Sequence, residues 1–166
     1  MGCGLTALRD SNVKSSDINR YIAVEISKDA KRIACNANPH EPNMPNIDHS
    51  WHSNAWDITE QDIAKLGHNN IKMFMAGPPC QDFSKLRLLV KRSARKSLND
   101  IRPGLDGPNG KLFTQAIQIM SWVLKYNPDC EFLIECVDFS DMQDQWAQIC
   151  SALGPPLMVN AQTYSY

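Results

Sequence analysis

The chain has 166 residues, 43% of them hydrophobic and 21% charged, with a net charge of −1. That is one domain's worth of chain with enough apolar matter for a core, and it excludes a globally basic nucleic-acid binder, so any such surface must be local. No apolar run approaches the roughly 20 residues of a membrane span, no basic head and apolar core open the chain as a secretory signal would, and the six cysteines show no CxxC spacing, which argues against a zinc site or a disulfide scaffold and for a reducing interior.

Residues 1–10 read Met-Gly-Cys-Gly-Leu-Thr-Ala-Leu-Arg-Asp, a glycine-rich turn running into apolar positions 5 and 8. Glycines let backbone approach a ligand, and a helix starting after them offers free N–H groups. Residues 21–26, Tyr-Ile-Ala-Val-Glu-Ile, have the β-branched and aromatic content of a strand. Glu25 at its end is placed to accept from ribose hydroxyls in a nucleotide fold, or is simply solvated. Ser27 then caps a helix to about Asn36, with Ala30, Ile33 and Ala34 spaced for one face. Residues 36–53 are polar and proline-rich and read as a loop; the irregular spacing of His40, His49 and His52 speaks against a metal site. Thr59 and Asp62 form a helix-start signature for residues 60–66.

Residues 71–76 are an apolar run with the look of a buried strand, and Gly77-Pro78-Pro79 forces the chain out of the sheet. Cys80 follows at once. It is therefore presented at the carboxyl end of a strand, the edge where open α/β sheets bind ligands, and is a candidate nucleophile. The bland alternative is a structural cysteine after a tight turn. Six of the twelve residues from Lys85 to Lys96 are basic and none is acidic, a local bias placed where a substrate's phosphates would lie, though a solvated helix face is the other reading. Residues 99–111 form a Gly/Pro/Asp-rich loop able to move over a substrate. Apolar positions from Leu112 to Leu124 predict a helix over 111–126, ended by Pro128. Residues 131–137 read as a buried strand carrying Glu135, a carboxylate costly to leave unpaired there. A helix over 141–153, broken by Gly154-Pro-Pro, precedes a last strand over 157–166.

Strand and helix alternate throughout, which predicts an α/β fold with a mostly parallel sheet and helices on both faces. Gly77-Pro78-Pro79-Cys80-Gln81, with Phe83-Ser84, resembles the proline-cysteine-glutamine motif of the DNA cytosine-5 methyltransferases. Gly2 and Gly4 resemble the end of that family's first motif, Asp57 its third, and Glu135-Cys136-Val137 its Glu-Asn-Val motif with cysteine in place of asparagine. That substitution puts full activity in doubt. The start of the long helix, residues 110–113, looks most similar to the de novo, type 3-like branch.

The resemblance implies a Rossmann-like methyltransferase using S-adenosyl-L-methionine, with Gly2, Gly4, Leu5, Glu25, Ile26, Asp57, Ile58 and Pro78 at the cofactor. It implies Cys80 as nucleophile on carbon 6 of a cytosine flipped from duplex DNA, and Glu135 at ring nitrogen 3. Gln81, Ser84, Lys85, Arg87, Lys91, Arg92 and Arg95 would contact DNA. Relatives that methylate tRNA share the cysteine motif, so the motif leaves RNA open. A methyltransferase acting on a small molecule or protein would explain the glycines, Glu25 and Asp57, but not the Pro-Pro-Cys-Gln stretch with its acidic strand end. The family's first strand and its target-recognition region are not in residues 1–166. On that basis the chain is a partial catalytic domain, expected to be inactive by itself, and a non-enzymatic binding module is the remaining alternative. The setting implied is the nucleus if the source is eukaryotic and otherwise the cytoplasm, without secretion.

Overall fold

The computed structural model describes residue 7 and residues 17–37, 47–86 and 101–160. The chain divides into two compact units, Met1–Asn70 and Ile71–Tyr166.

In the first unit β1 (Tyr21–Ile22) pairs in parallel with β2 (Ile47–Asp48), Tyr21 opposite Ile47. Helix α1 (Lys28–Ala37) lies between them in sequence, the crossover a parallel pair requires. Ser27 starts α1 as expected, its Oγ accepting from the Ala30 amide at 3.2 Å. Ala30 and Ala34 are buried, but Ile33 is 48% exposed rather than sharing their face. At 100° per residue, Ile33 lies about 80° round the helix from the line between the two alanines, outside the stripe they define.

The strand expected over 21–26 is shorter because its partner leaves. The Ala23 amide still donates to Asp48 O, but the Asp48 carboxylate then accepts from the Ser50 amide at 2.8 Å and the Ser50 hydroxyl at 2.6 Å, turning the chain away. β2 itself falls in a stretch whose composition reads as loop; two residues give no period to detect. After a 3-10 turn (Ala55–Asp57), helix α2 (Glu60–Lys65) begins with the reciprocal cap expected for Thr59 and Asp62. Thr59 Oγ1 accepts from the Asp62 amide, and Asp62 Oδ2 accepts from the Thr59 amide at 3.1 Å.

In the second unit β3 (Met73–Ala76) pairs in parallel with β4 (Glu131–Ile134), Ala76 opposite Ile134. Helix α3 (Pro108–Tyr126) connects them and packs on β3. Its end is tied to the start of β3 by buried Asn127, whose Nδ2 donates to Val123 O at 3.1 Å while its Oδ1 accepts from the Ile71 amide at 2.9 Å. Helix α4 (Gln143–Leu153) closes the unit. The core is aromatic: buried Phe83, Phe113 and Phe139 with Ile149, and Trp146 packed edge-on to Phe139 at 5.1 Å between ring centroids.

Three expectations change here. α3 starts at Pro108, not Lys111, because Gly107-Pro108 is a start signal with proline in the first turn, where its missing N–H costs nothing. β4 is not a buried strand: Glu131, Phe132 and Leu133 are exposed, since among the described residues it pairs only with β3. No strand forms over the described residues 157–160, where Leu157, Met158 and Val159 are exposed without a ladder partner. Among the described residues the sheets are two parallel pairs, one in each unit. No helix among them is long and apolar enough to cross a membrane.

Candidate active site

Because β3 and β4 run in parallel and in register, whatever follows them emerges at one edge. Gly77-Pro78-Pro79-Cys80 follows β3, and Glu135-Cys136 follows β4. The Glu135 amide donates to Ala76 O at 2.9 Å, so the pairing runs one residue past the strand. A Cβ built on Gly77 would lie 3.7 Å from Glu135 Oε2, which brings the carboxylate over the start of the Cys80 loop. Thus the two sequence-predicted catalytic side chains come from adjacent strand ends. Glu135 is exposed, so the burial argument made for it from sequence does not hold; its place at the edge does.

The loop after β3 is a single turn. Cys80 O accepts from the Phe83 amide at 3.0 Å and from the Ser84 amide at 2.9 Å. Cys80 is half-buried and Phe83 fully buried, so the turn is anchored by its aromatic residue. Asp82, also fully buried, accepts from the Asn109 amide at 2.8 Å and the Gly110 amide at 3.3 Å. Those are orphan donors of the first turn of α3, and the helix dipole favours the negative charge there. A Cβ on Gly107 would collide with the Asp82 carboxylate, so only glycine lets the helix start this close.

The segment expected to be a movable loop is tied down over its described part. Ile101 and Arg102 are buried, the Gly104 amide donates to Asp82 O at 3.0 Å, and the Leu105 amide donates to Gln145 Oε1 at 2.7 Å. Asp82, Arg102 and Gln145 were not singled out from sequence. Their partners lie 27, 19 and 40 residues away, and nothing local announces such pairs. An acidic residue two places after the cysteine, with Gly-Pro later in the chain, was the one available hint.

Two thiols stand close together here, and their chemistry separates them. Cys136 is half-buried against the aromatic core, and burial, with the nearby Cys80 and Glu135 adding to it, pushes its thiol from 9.0 up to about 12. It stays a neutral thiol at any working pH and does not compete as nucleophile. Since the unfolded chain ionises this thiol above about pH 9 and the folded chain does not, its contribution makes stability fall as pH rises from 9 towards 12. In the folded protein iodoacetamide at pH 8 is expected to modify Cys80 and spare Cys136. Peptide mass spectrometry checks this, and equal labelling would show that Cys136 is not held neutral.

Among the expected DNA contacts, Lys85 is ion-paired, its Nζ 3.1 Å from Asp138 Oδ2 and 3.7 Å from Asp141 Oδ1. Hydrogen bonds from the Ser140 amide and hydroxyl, then from Lys85, hold the Asp138 carboxyl down at about 2. Gln81 is exposed, and the Ser84 hydroxyl accepts from the Leu86 amide at 3.3 Å. Arg87, Lys91, Arg92 and Arg95 lie outside the described residues, as do Gly2, Gly4 and Leu5.

In the first unit Glu25 is half-buried, Ile26 is 72% exposed and Asp57 is exposed in its 3-10 turn, whereas Ile58 is only 4% exposed, with little surface left for a ligand. Pro78, in the second unit, is half-buried. A hollow of about 120 Å³ opens beside Glu25, walled by Tyr21, Val24, Ala30, Ala34 and His49. His49 Nδ1 lies 3.2 Å from the Ala23 carbonyl, which can only accept, so Nδ1 carries the proton. Its Nε2 is buried, with no hydrogen-bond partner among the described residues.

Among curated proteins none matches the chain. Residues 2–149, most of its length, match the family C-5 cytosine-specific DNA methylase, a span containing Cys80, Glu135 and the loops that hold them. The chain therefore belongs to the C-5 cytosine-specific DNA methylases, the DNA cytosine-5 methyltransferases.

Proposed function

We propose that the protein transfers a methyl group from S-adenosylmethionine to carbon 5 of a cytosine in DNA, with Cys80 forming a covalent bond to the ring and Glu135 holding ring nitrogen 3. The observation that carries this reading is the emergence of Cys80 and Glu135 from adjacent, in-register strand ends. A cytosine in a duplex offers neither carbon 6 nor nitrogen 3 to a side chain of this kind, so the base must leave the stack. The Cys80 thiolate adds to carbon 6. A proton or hydrogen bond from Glu135 at nitrogen 3 draws the electron pair into the ring, and density rises at carbon 5. After methylation, loss of the carbon 5 proton re-forms the double bond and expels Cys80.

S-adenosylmethionine supplies an electrophilic methyl group at a sulfonium. The first unit fits such a ligand. Glu25 Oε1 already accepts from the Ser27 amide at 2.8 Å, and a carboxylate has room for further donors. A carboxylate beside a wall of Tyr21, Val24 and alanines suits a group that presents hydroxyls beside an apolar face, as a ribose does. Glu25, Ile26, Asp57 and Ile58, with Gly2, Gly4, Leu5 and Pro78, are the residues we assign to it. DNA contacts are assigned to Gln81, Ser84 and the basic run from Lys85 to Arg95, those of the basic run to phosphates.

The test supplies S-adenosylmethionine labelled in its methyl group, with duplex DNA, tRNA or protein, to an active enzyme carrying this sequence. Label recovered as 5-methyldeoxycytidine is the expected result. Label found only in RNA would replace the substrate, and label only in protein would overturn the reading.

A further inference from the structure

We propose that Arg102 is a positioning residue for Cys80, a buried fork that locks the nucleophile's turn to the segment following Glu135. The proposal rests on the reading of Cys80 as nucleophile. Arg102 Nε and Nη2 donate to the Phe83 carbonyl at 3.0 and 2.6 Å. On its other side Nη1 donates to Asp141 Oδ2 at 2.6 Å and Nη2 to Asp141 Oδ1 at 3.1 Å. The side chain is 8% exposed, while that of Asp141 is 43% exposed. A buried guanidinium is costly unless every face is engaged, and the planar fork suits two acceptors held in fixed relation in a way a lysine does not.

The connections run straight to the site. Phe83, whose carbonyl Arg102 holds, donates its own amide to Cys80 O, so the clamp acts one hydrogen bond away from the nucleophile's backbone. Asp141 lies six residues after Glu135, and between them Phe139 packs on Phe83 with ring centroids 4.7 Å apart. Lys85 repeats the pattern outside, bridging to Asp138 and Asp141. Two cations from the Cys80 side thus meet two carboxylates on the segment that carries Glu135 onward. Arg102, Lys85 and the Asp141 backbone are the groups that lower the Asp141 carboxyl, Arg102 foremost, against burial that raises it. Asp141 accordingly keeps its charge as partner of the fork. Catalysis by two groups from separate strands depends on their mutual placement, and a misplacement of about 1 Å costs on the order of 100-fold in rate.

The experiment compares Arg102→Lys and Asp141→Asn with the parent chain. Asp141 is part-exposed, so its variant leaves the core intact even if the lysine variant folds poorly. One readout is iodoacetamide labelling of Cys80 relative to exposed Cys35, with buried Cys130 as a monitor of general opening. The other, in an active enzyme carrying the same substitutions, is the rate of covalent adduct formation with 5-fluorocytosine duplex at saturating DNA. A loosened turn is expected to raise Cys80 labelling several-fold while Cys130 stays protected. Adduct formation is expected to slow on the order of 100-fold, with half-saturating DNA unchanged. Parental labelling and adduct rates in both variants would overturn the proposal. So would Cys130 opening in step with Cys80, which marks a merely structural role. Failure of the nucleophile assignment is a separate signal: an adduct that forms in Cys80→Ala.

Discussion

Cys80→Ala is expected to abolish methyl transfer while leaving the fold and the affinity for S-adenosylmethionine nearly unchanged. The side chain is half-buried at the mouth of the turn, and removing one sulfur there leaves the bonds from Cys80 O to the Phe83 and Ser84 amides intact. The thiol is not among the residues assigned to the cofactor, so its removal takes away no assigned contact. The loss is large because no other group can replace the covalent step. Removal of a covalent nucleophile elsewhere costs on the order of 10⁶-fold. Cys136, the neighbouring thiol among the described residues, is pushed up to about 12 by burial and stays neutral at pH 8. Single-turnover methyl transfer and calorimetric titration with S-adenosylmethionine measure the two halves of this expectation. Turnover retained in Cys80→Ala would move the nucleophile elsewhere.

Phe83→Ala is expected to carry the largest stability cost of any single truncation in the second unit. Phe83 is fully buried, with its ring 4.7 Å from Phe139 and 5.7 Å from Phe113 between centroids. A buried phenylalanine cut back to alanine costs about 3–5 kcal/mol, a large part of the roughly 5–15 kcal/mol that a domain has. The same change frees the turn that presents Cys80, so activity should fall further than the folded fraction does. Chemical denaturation followed by fluorescence of Trp146, which packs on Phe139, reads the first effect. A loss below about 1 kcal/mol would show that the aromatic cluster does not hold this loop.

What the sequence made legible was local. Gly-Pro-Pro after an apolar run announces the strand end at Cys80, Thr59 and Asp62 write their own cap, and the 3.6-residue period of α3 is long enough to read. What it hid was pairing over distance. β2 is two residues long and exists only because Tyr21 and Ile22 lie beside it. Glu135 was read as a buried carboxylate because residues 131–137 are apolar, but apolar composition does not say which strand covers which. Arg102 falls in the stretch 99–111 that reads as a Gly/Pro/Asp-rich loop, where nothing local marks it. Only the fold brings it between Phe83 and Asp141, and only there does an arginine differ from a lysine. The Gly104 region read as a movable loop because glycine and proline mark turns; that Gly107 serves close packing against Asp82 depends on a partner far away in sequence.

The central claim is that Cys80 attacks a cytosine ring. An active enzyme carrying this sequence, incubated with S-adenosylmethionine and duplex DNA containing 5-fluorocytosine, loses the ability to expel the cysteine because carbon 5 has no proton to give up. Digestion and mass spectrometry should then find the nucleotide bonded to the peptide containing Cys80, and nowhere else. An adduct on Cys136 or another cysteine, or turnover on natural DNA with no adduct at all, would contradict the account.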